Sequence, residues 1–431
     1  VDALVPRLDF AALAQSVYLN QAALGLIPAQ SLEVMLEHLT QTAQHGNVRL
    51  SDEEELRILD ELRAAGAILL GTEPAAVAVL GGASEGLATA AALVPAGDVV
   101  LVATDFPSVT HPWLAGSASG RSVTWVEDRA SVSLTESVVD AIRPGVAAVC
   151  VSAVMYGTGS RVDCAVLADS AHEVGARLIV DATQLAGAGE VAMADWGADF
   201  VVTSGYKWLC GHGGVALFAV ADDLLDSIPP HPGWMGTPNP FAFDATRREQ
   251  APGARRFEQS TIAYASALGL TESITRLNGI GSGAIEAHAR LLAVELVEAV
   301  QPLGWHPFRN LDDPSASPHI IALQHADLDT TAVRATLHRD YGIVTSARLN
   351  AIRVSLHVYN DTGDIESLVG ALATIGKAQC ERTSVDSFHG PGTGGIRYQP
   401  PDGDRTIEFG DHRPIARKSG ADGRSRRTNR G

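Results

Sequence analysis

Between residues 75 and 220 the chain alternates short, uninterrupted apolar runs with stretches long enough to be helices. The runs fall at 99–102, 147–151, 178–180, 200–202 and 214–218. A strand with no polar alternation is buried on both faces. Alternation of such strands with helices predicts a mostly parallel sheet covered on both sides, an α/β fold. Ligands of these sheets bind outside the carboxyl ends of the strands. Chemistry is therefore expected in the polar residue that follows each run.

The rest of the chain reads as follows. A helical pattern runs from Ser31 to about His45, and a second over 52–71, acidic at its start and ending at Gly71. Residues 221–265, rich in Pro and Gly, read as a long structured loop. A long helix is expected over 262–302, with a break at the glycines near 279–283. Strands near 320–323 and 352–355, alternating with helices at 330–339 and 364–377, predict a second, smaller α/β domain. Beyond 379, Gly, Pro, Asp, Arg and Ser dominate, the signature of a disordered tail. The expected divisions are an N-terminal arm (1–30), a large domain (31–262), a small domain (263–380) and the tail (381–431).

Composition narrows the function. With 46% hydrophobic residues the chain can bury a large core. Its net charge of −18 disfavours nucleic acid and anionic membranes as partners. The longest apolar runs are far short of a membrane span. The cysteines at 150, 164, 210 and 380 have no CxxC spacing, and no His/Cys cluster suggests a metal site. The start has no signal-peptide pattern. The expectation is a soluble, cytoplasmic protein.

Asp181 follows the run 178–180, at the carboxyl end of a buried strand. Taken alone, an Asp there is more often a helix N-cap than a catalytic group. Lys207 follows the run 200–202 and lies between Ser204-Gly205-Tyr206 and Gly211-His212-Gly213-Gly214. A lysine and an acid at two strand ends fit one chemistry well. The amine forms a Schiff base with an aldehyde cofactor, and the carboxylate keeps a pyridine nitrogen protonated. A phosphate site is then expected. Leu80-Gly81-Gly82-Ala83-Ser84-Glu85-Gly86 precedes the helical run 87–93, and a helix N-terminus with a Ser hydroxyl cradles phosphate. It is not a Walker A loop, because Gly86 is followed by Leu87-Ala88. Taken alone, the segment also fits an ordinary helix start.

These segments, followed by Arg255-Arg256-Phe257-Glu258-Gln259-Ser260-Thr261 and Ile352-Arg353-Val354-Ser355-Leu356-His357-Val358-Tyr359-Asn360, occur in an order that resembles the class V aminotransferase family of pyridoxal-phosphate enzymes. The resemblance covers about residues 17–377. It implies fold type I, with a large domain on a mostly parallel sheet and a smaller C-terminal α/β domain. It also implies a pyridoxal 5'-phosphate cofactor, an amino-acid substrate and a homodimer with shared active sites.

Carried over, the resemblance makes Lys207 the Schiff-base lysine and the proton shuttle at the α-carbon. Asp181 pairs with the pyridine nitrogen, and Gln184 bonds the ring hydroxyl. Ala83, Ser84 and Ser204 hold the phosphate. Thr261 reaches the phosphate of the neighbouring subunit. Arg353 grips the substrate α-carboxylate, a task suited to a planar fork. Asn20 is expected on the substrate side, with Leu24, Trp234, Asn239, Phe241 and Phe243 as further candidates.

The departures narrow the reaction. Tyr206 precedes the lysine where cysteine desulfurases have His. Phe106 takes the ring-stacking position where desulfurases also have His, and Phe cannot pass a proton. Desulfurases carry a nucleophilic Cys upstream of the carboxylate Arg, whereas residues 341–350 here contain none. Cys380 lies 27 residues past Arg353. Persulfide-forming desulfuration is therefore disfavoured. The first reading is a C–S lyase, eliminating thiol from an S-substituted cysteine. The alternatives are an aminotransferase, an epimerase, a decarboxylating oxidative deaminase, or a non-catalytic pyridoxal-phosphate-binding module. Retention of Arg353 argues against the last, because a mere cofactor binder needs no carboxylate grip.

Overall fold

The computed structural model describes residues 1–115, 121–247 and 249–388. A short strand, β1 (Val17–Tyr18), lies in the N-terminal arm. The main sheet follows with β2 (Val77–Leu80), β3 (Asp98–Val102), β4 (Val123–Val126), β5 (Val146–Ser152), β6 (Arg177–Asp181), β7 (Phe200–Ser204) and β8 (Ala216–Val220). Their order across the sheet is β2-β8-β7-β6-β5-β3-β4. All run the same way except β8, which is antiparallel to both neighbours. Residues 205–215, between β7 and β8, are too few for the crossover that a parallel return requires.

The apolar runs are buried on both faces, as their composition demands. Val100, Val149, Val151, Leu178, Val180, Val201 and Leu217 enter one apolar core. Their neighbours Leu101, Ala148, Cys150, Ile179, Val202 and Phe218 enter a second core on the opposite face. Side chains alternate along each strand with a period of two, and both layers are filled.

The helices start and stop on local chemistry. In the helix Asp52–Leu70, Ser51 Oγ accepts the Glu54 amide, four acids fill the first turn, and Gly71 closes the end in the left-handed conformation. The helical region expected over 262–302 breaks where its glycines predict, into Tyr264–Ile280 and Ser282–Val300, which meet at Gly281 with φ 88°.

A second sheet contains β9 (Trp305–Pro307), β10 (Ile320–His325), β12 (Ser346–Arg348) and β13 (Ala351–Ser355), in the order β12-β13-β10-β9 and wholly antiparallel. It has its own core, built from Leu292, Trp305, Leu323, Val354 and Leu368 among others. The remaining strand, β11 (Ile343–Val344), pairs with β1. The arm is tied down further by the Leu4 amide on the Val358 carbonyl at 2.8 Å. Arg7 also forks onto Asp364 at 2.8 and 2.9 Å.

Residues 1–381 form one compact unit. The last helix spans Thr362–Phe388, and the tail expected beyond it lies outside the described residues. Among the described residues no helix is long and apolar enough to cross a membrane.

Candidate active site

Because β2, β3, β5, β6 and β7 run the same way, their carboxyl ends share one edge of the sheet. Asp181 closes β6, Ser204 closes β7 and Ser152 closes β5, and Ser152 pairs directly with Asp181 in the ladder. The loop after β7 brings Lys207 back over this edge. A cavity of about 140 Å³ forms there, lined by Gly82, Ala83, Ser84, Phe106, Ser108, Ser152, Tyr156, Asp181, Thr183, Gln184, Ser204, Tyr206 and Lys207. Eight residues singled out from the sequence meet in it: Ala83, Ser84, Phe106, Asp181, Gln184, Ser204, Tyr206 and Lys207.

Lys207 is buried. Its Nζ lies 5.3 Å from the centre of the Phe106 ring and 5.8 Å from that of Tyr206. Burial pushes the ammonium down to about 8, Asp181 opposes this, and Arg353 adds to it. The amine is therefore readily neutral, as a nucleophile must be. The chain has three lysines. Lys377 lies on the last helix, Lys418 lies outside the described residues, and Lys207 lines the cavity. This scarcity in the sequence singles out Lys207 independently of any motif, a signal the motif reading left unused.

The arm fixes the lysine backbone. The Gln21 side-chain amide donates to the Lys207 carbonyl at 2.9 Å. The Gly25 amide donates to the Tyr206 carbonyl at 2.8 Å. A Cβ on Gly25 would lie 2.1 Å from the Lys207 carbonyl oxygen, so only glycine permits this approach.

Asp181 is buried, and its Oδ1 accepts the Thr183 amide at 2.9 Å. Burial raises its carboxyl above the ordinary value, while Thr183 and Lys207 pull it back. Gln184 is held at both ends. Its Oε1 accepts the Trp208 indole N–H at 2.7 Å, and its Nε2 donates to the Ala22 carbonyl at 3.1 Å. One N–H of that amide remains. His319 donates through Nε2 to the Gln184 carbonyl at 2.6 Å, and burial pushes this imidazole down to about 3, so it stays neutral.

Several polar groups stand open at the Gly82 end of the cavity. The helix Ala83–Leu93 starts at Gly82 with no side-chain cap, leaving its first amides for a ligand. A Cβ on Gly82 would meet nothing within 4 Å, so the space before those amides is open. Ser204 Oγ is buried without a hydrogen-bond partner. Ser84 Oγ and Ser108 Oγ share a hydrogen bond of 2.7 Å at the same end. An orphaned hydroxyl, uncapped amides and a carboxylate at the far side fit a phosphorylated pyridine.

Arg353 does not line this cavity. It is buried behind it, donating to the Tyr156 carbonyl at 2.7 Å and to Ser346 Oγ at 3.2 Å, with Nε unpartnered. No carboxylate pairs with it among the described residues, and burial drives its guanidinium down to about 10. Ser346 Oγ in turn donates to Asn20 Oδ1. The structure thus joins Asn20, Ser346 and Arg353 into one chain.

Thr261 is exposed and lies outside the cavity. Trp234, Phe241 and Phe243 pack on one another at 5.7 to 6.1 Å. Neither they nor Asn239 and Leu24 line the cavity.

Sequence reasoning gave no role to Asp105, Ser152, Tyr156 or Thr183. Tyr156 packs edge-on against Phe106 at 5.5 Å. The oddity that could have signalled Asp105 is an acid placed directly before Phe106, the residue expected to stack on the ring.

Comparison with known proteins agrees with this geometry. The family described as Aminotransferase class-V matches residues 17–368. The uncharacterized aminotransferase YcbU of Bacillus subtilis is 28% identical over 71% of this chain and 80% of its own. A probable cysteine desulfurase of Pyrococcus abyssi is 25% identical over 86% of this chain and 97% of its own. The solved complex of the cystine C-S lyase C-DES with cysteine persulfide superposes with a TM-score of 0.75 at 20% identity, covering 84% of this chain and 99% of that one.

Proposed function

The chain belongs to the class V aminotransferase family of pyridoxal-phosphate enzymes, and from that premise we propose that it is a C–S lyase, releasing a thiol from an S-substituted cysteine. The observation that carries the reading is a substrate side that holds a carboxylate grip and no thiol. Residues 341–353 supply Arg353 and contain no cysteine. Cys150, Cys164 and Cys210 are buried and outside the cavity. Burial raises all three thiols, Cys164 and Cys210 to about 12, so none is a ready nucleophile. The Pyrococcus relative supports a sulfur-bearing amino acid as substrate.

Pyridoxal phosphate, when bound, withdraws the electron pair left at the substrate α-carbon. The protein supplies the rest. Asp181 holds a positive charge at the pyridine nitrogen, and the uncapped helix start with Ser84 and Ser204 holds the phosphate. Gln184 uses its free N–H toward the ring hydroxyl, and Phe106 covers the ring face. Thr261, exposed in one chain, reaches the phosphate of a second copy. Arg353 fixes the α-carboxylate, and Asn20 holds Ser346 beside it. Lys207 removes the α-proton. The Cβ–S bond then breaks, and sulfur leaves with its electron pair and takes up a proton as thiol. The 2-aminoacrylate left behind is hydrolysed to pyruvate and ammonia.

The test is to incubate holoenzyme with S-substituted cysteines, without keto acid, and to count pyruvate per active site. Many pyruvates per site support the lyase. A single turnover that stops until a keto acid is added would make the enzyme an aminotransferase and overturn the reading.

A further inference from the structure

Ser346 faces Arg353 across the antiparallel pair β12–β13, and Arg348 faces Ala351 in the same ladder. Opposed residues of such a pair project from one face, and diagonal neighbours lie about 7–8 Å apart. Arg348 therefore stands on the face that carries Arg353, one step nearer the hairpin tip. The tip is a tight turn. Leu349 and Asn350 both have left-handed backbones, with φ 48° and 59°, the two-residue turn that matches strand twist. Leucine rarely adopts this conformation, and this side chain is half exposed, with one end against Gly157. A Cβ on Gly157 would lie 2.7 Å from Leu349 Cδ1. The tip thus rests on the segment whose preceding residue, Tyr156, lines the cavity and accepts from Arg353.

The charges on this face are unbalanced. The exposed Arg348 guanidinium donates to the Ala347 carbonyl, at 2.8 Å. Neither it nor Arg353 pairs with a carboxylate among the described residues, and Arg348 adds to the burial that disfavours the Arg353 charge. The α-carboxylate of an amino acid satisfies Arg353 alone. A second anion on the same molecule would satisfy Arg348.

We propose that Arg348 is a specificity-determining residue that binds an anionic group at the end of the substrate side chain. The enzyme then prefers amino acids whose side chain ends in a carboxylate over neutral ones. The inference rests on the placement of the α-carboxylate at Arg353, and it holds whichever reaction follows.

The test pairs S-(2-carboxyethyl)-L-cysteine with its primary amide. Rapid-mixing absorbance of the holoenzyme gives affinity before turnover, and pyruvate formation gives kcat/KM. The wild type binds the acid about tenfold more tightly. Arg348→Gln loses that factor for the acid and stays within twofold for the amide, and Arg348→Lys recovers part of the preference. Equal binding of acid and amide by the wild type, or an equal loss for both in Arg348→Gln, would overturn the proposal. Preferential binding of the acid without pyruvate would overturn the lyase reading and leave Arg348 in its role.

Discussion

Asp105 and Ser152 are joined by two hydrogen bonds, from the Ser152 amide at 2.8 Å and its hydroxyl at 2.6 Å. The Phe106 amide adds a third at 2.6 Å. One buried carboxylate thereby ties Phe106, which lines the cavity, to the strand end that neighbours Asp181. Burial pushes Asp105 up to about 7. A raised folded value means that the folded protein holds more protons than the unfolded chain between about pH 4 and 7. Its contribution to stability therefore falls as pH rises through that window. Asp105→Asn removes this dependence. Urea midpoints at pH 5 and 7.5 are expected to differ less favourably to pH 5 in the variant than in the wild type. An identical difference in both would contradict it.

Lys207 makes the opposite kind of prediction, about a rate. Only its neutral amine attacks an aldehyde, and burial sets that form's appearance at about pH 8. Uptake of pyridoxal phosphate by the apoenzyme, followed by visible absorption, should rise about tenfold per pH unit below 8 and level off above it. Continued rise to pH 10 would mean an ordinary, solvated lysine.

Gly25→Ala is expected to damage the cofactor site from a distance. The new methyl has no room against the Lys207 carbonyl, so either the arm or the lysine loop must move. Cofactor affinity should fall at least tenfold while the far-ultraviolet circular dichroism is retained. Unchanged affinity would show that the arm does not position Lys207.

Glu258 and Arg63 form a buried, forked ion pair at 2.7 to 2.9 Å, and Glu258 also accepts the Val79 amide at 3.0 Å. This anchors the loop leading to Thr261 against β2. Glu258→Ala removes the buried partner of the Arg63 guanidinium and leaves it the exposed Asp60 carboxylate, which costs up to about 3–5 kcal/mol. Urea denaturation measures it, and a loss below about 1 kcal/mol would place the pair in effective contact with solvent.

The sequence was most informative where one strand end sufficed. Asp181, Ser204 and Lys207 follow buried runs, and a parallel sheet has only one place for such residues. The antiparallel β8 was implied only by the shortness of residues 205–215. Asp105, Ser152 and Tyr156 were not legible as site residues, because their roles depend on register and loop closure. Nothing local indicates that residue 105 bonds residue 152, or that the carbonyl of 156 meets Arg353. Gln184 was legible as a site residue, but its hold on Trp208, His319 and the arm belongs to tertiary packing alone. Thr261 faces outward, so its proposed role needs a second chain.

The central claim is that Lys207 carries the cofactor, and the rarity of lysine here makes that claim unusually clean to test. Borohydride reduction of the holoenzyme fixes pyridoxal phosphate to its lysine, and peptide mass mapping locates it. The account predicts one adduct per chain, on the peptide containing Lys207, with Lys377 and Lys418 unmodified. An adduct on either of those two, or an active enzyme with no adduct at Lys207, would contradict it.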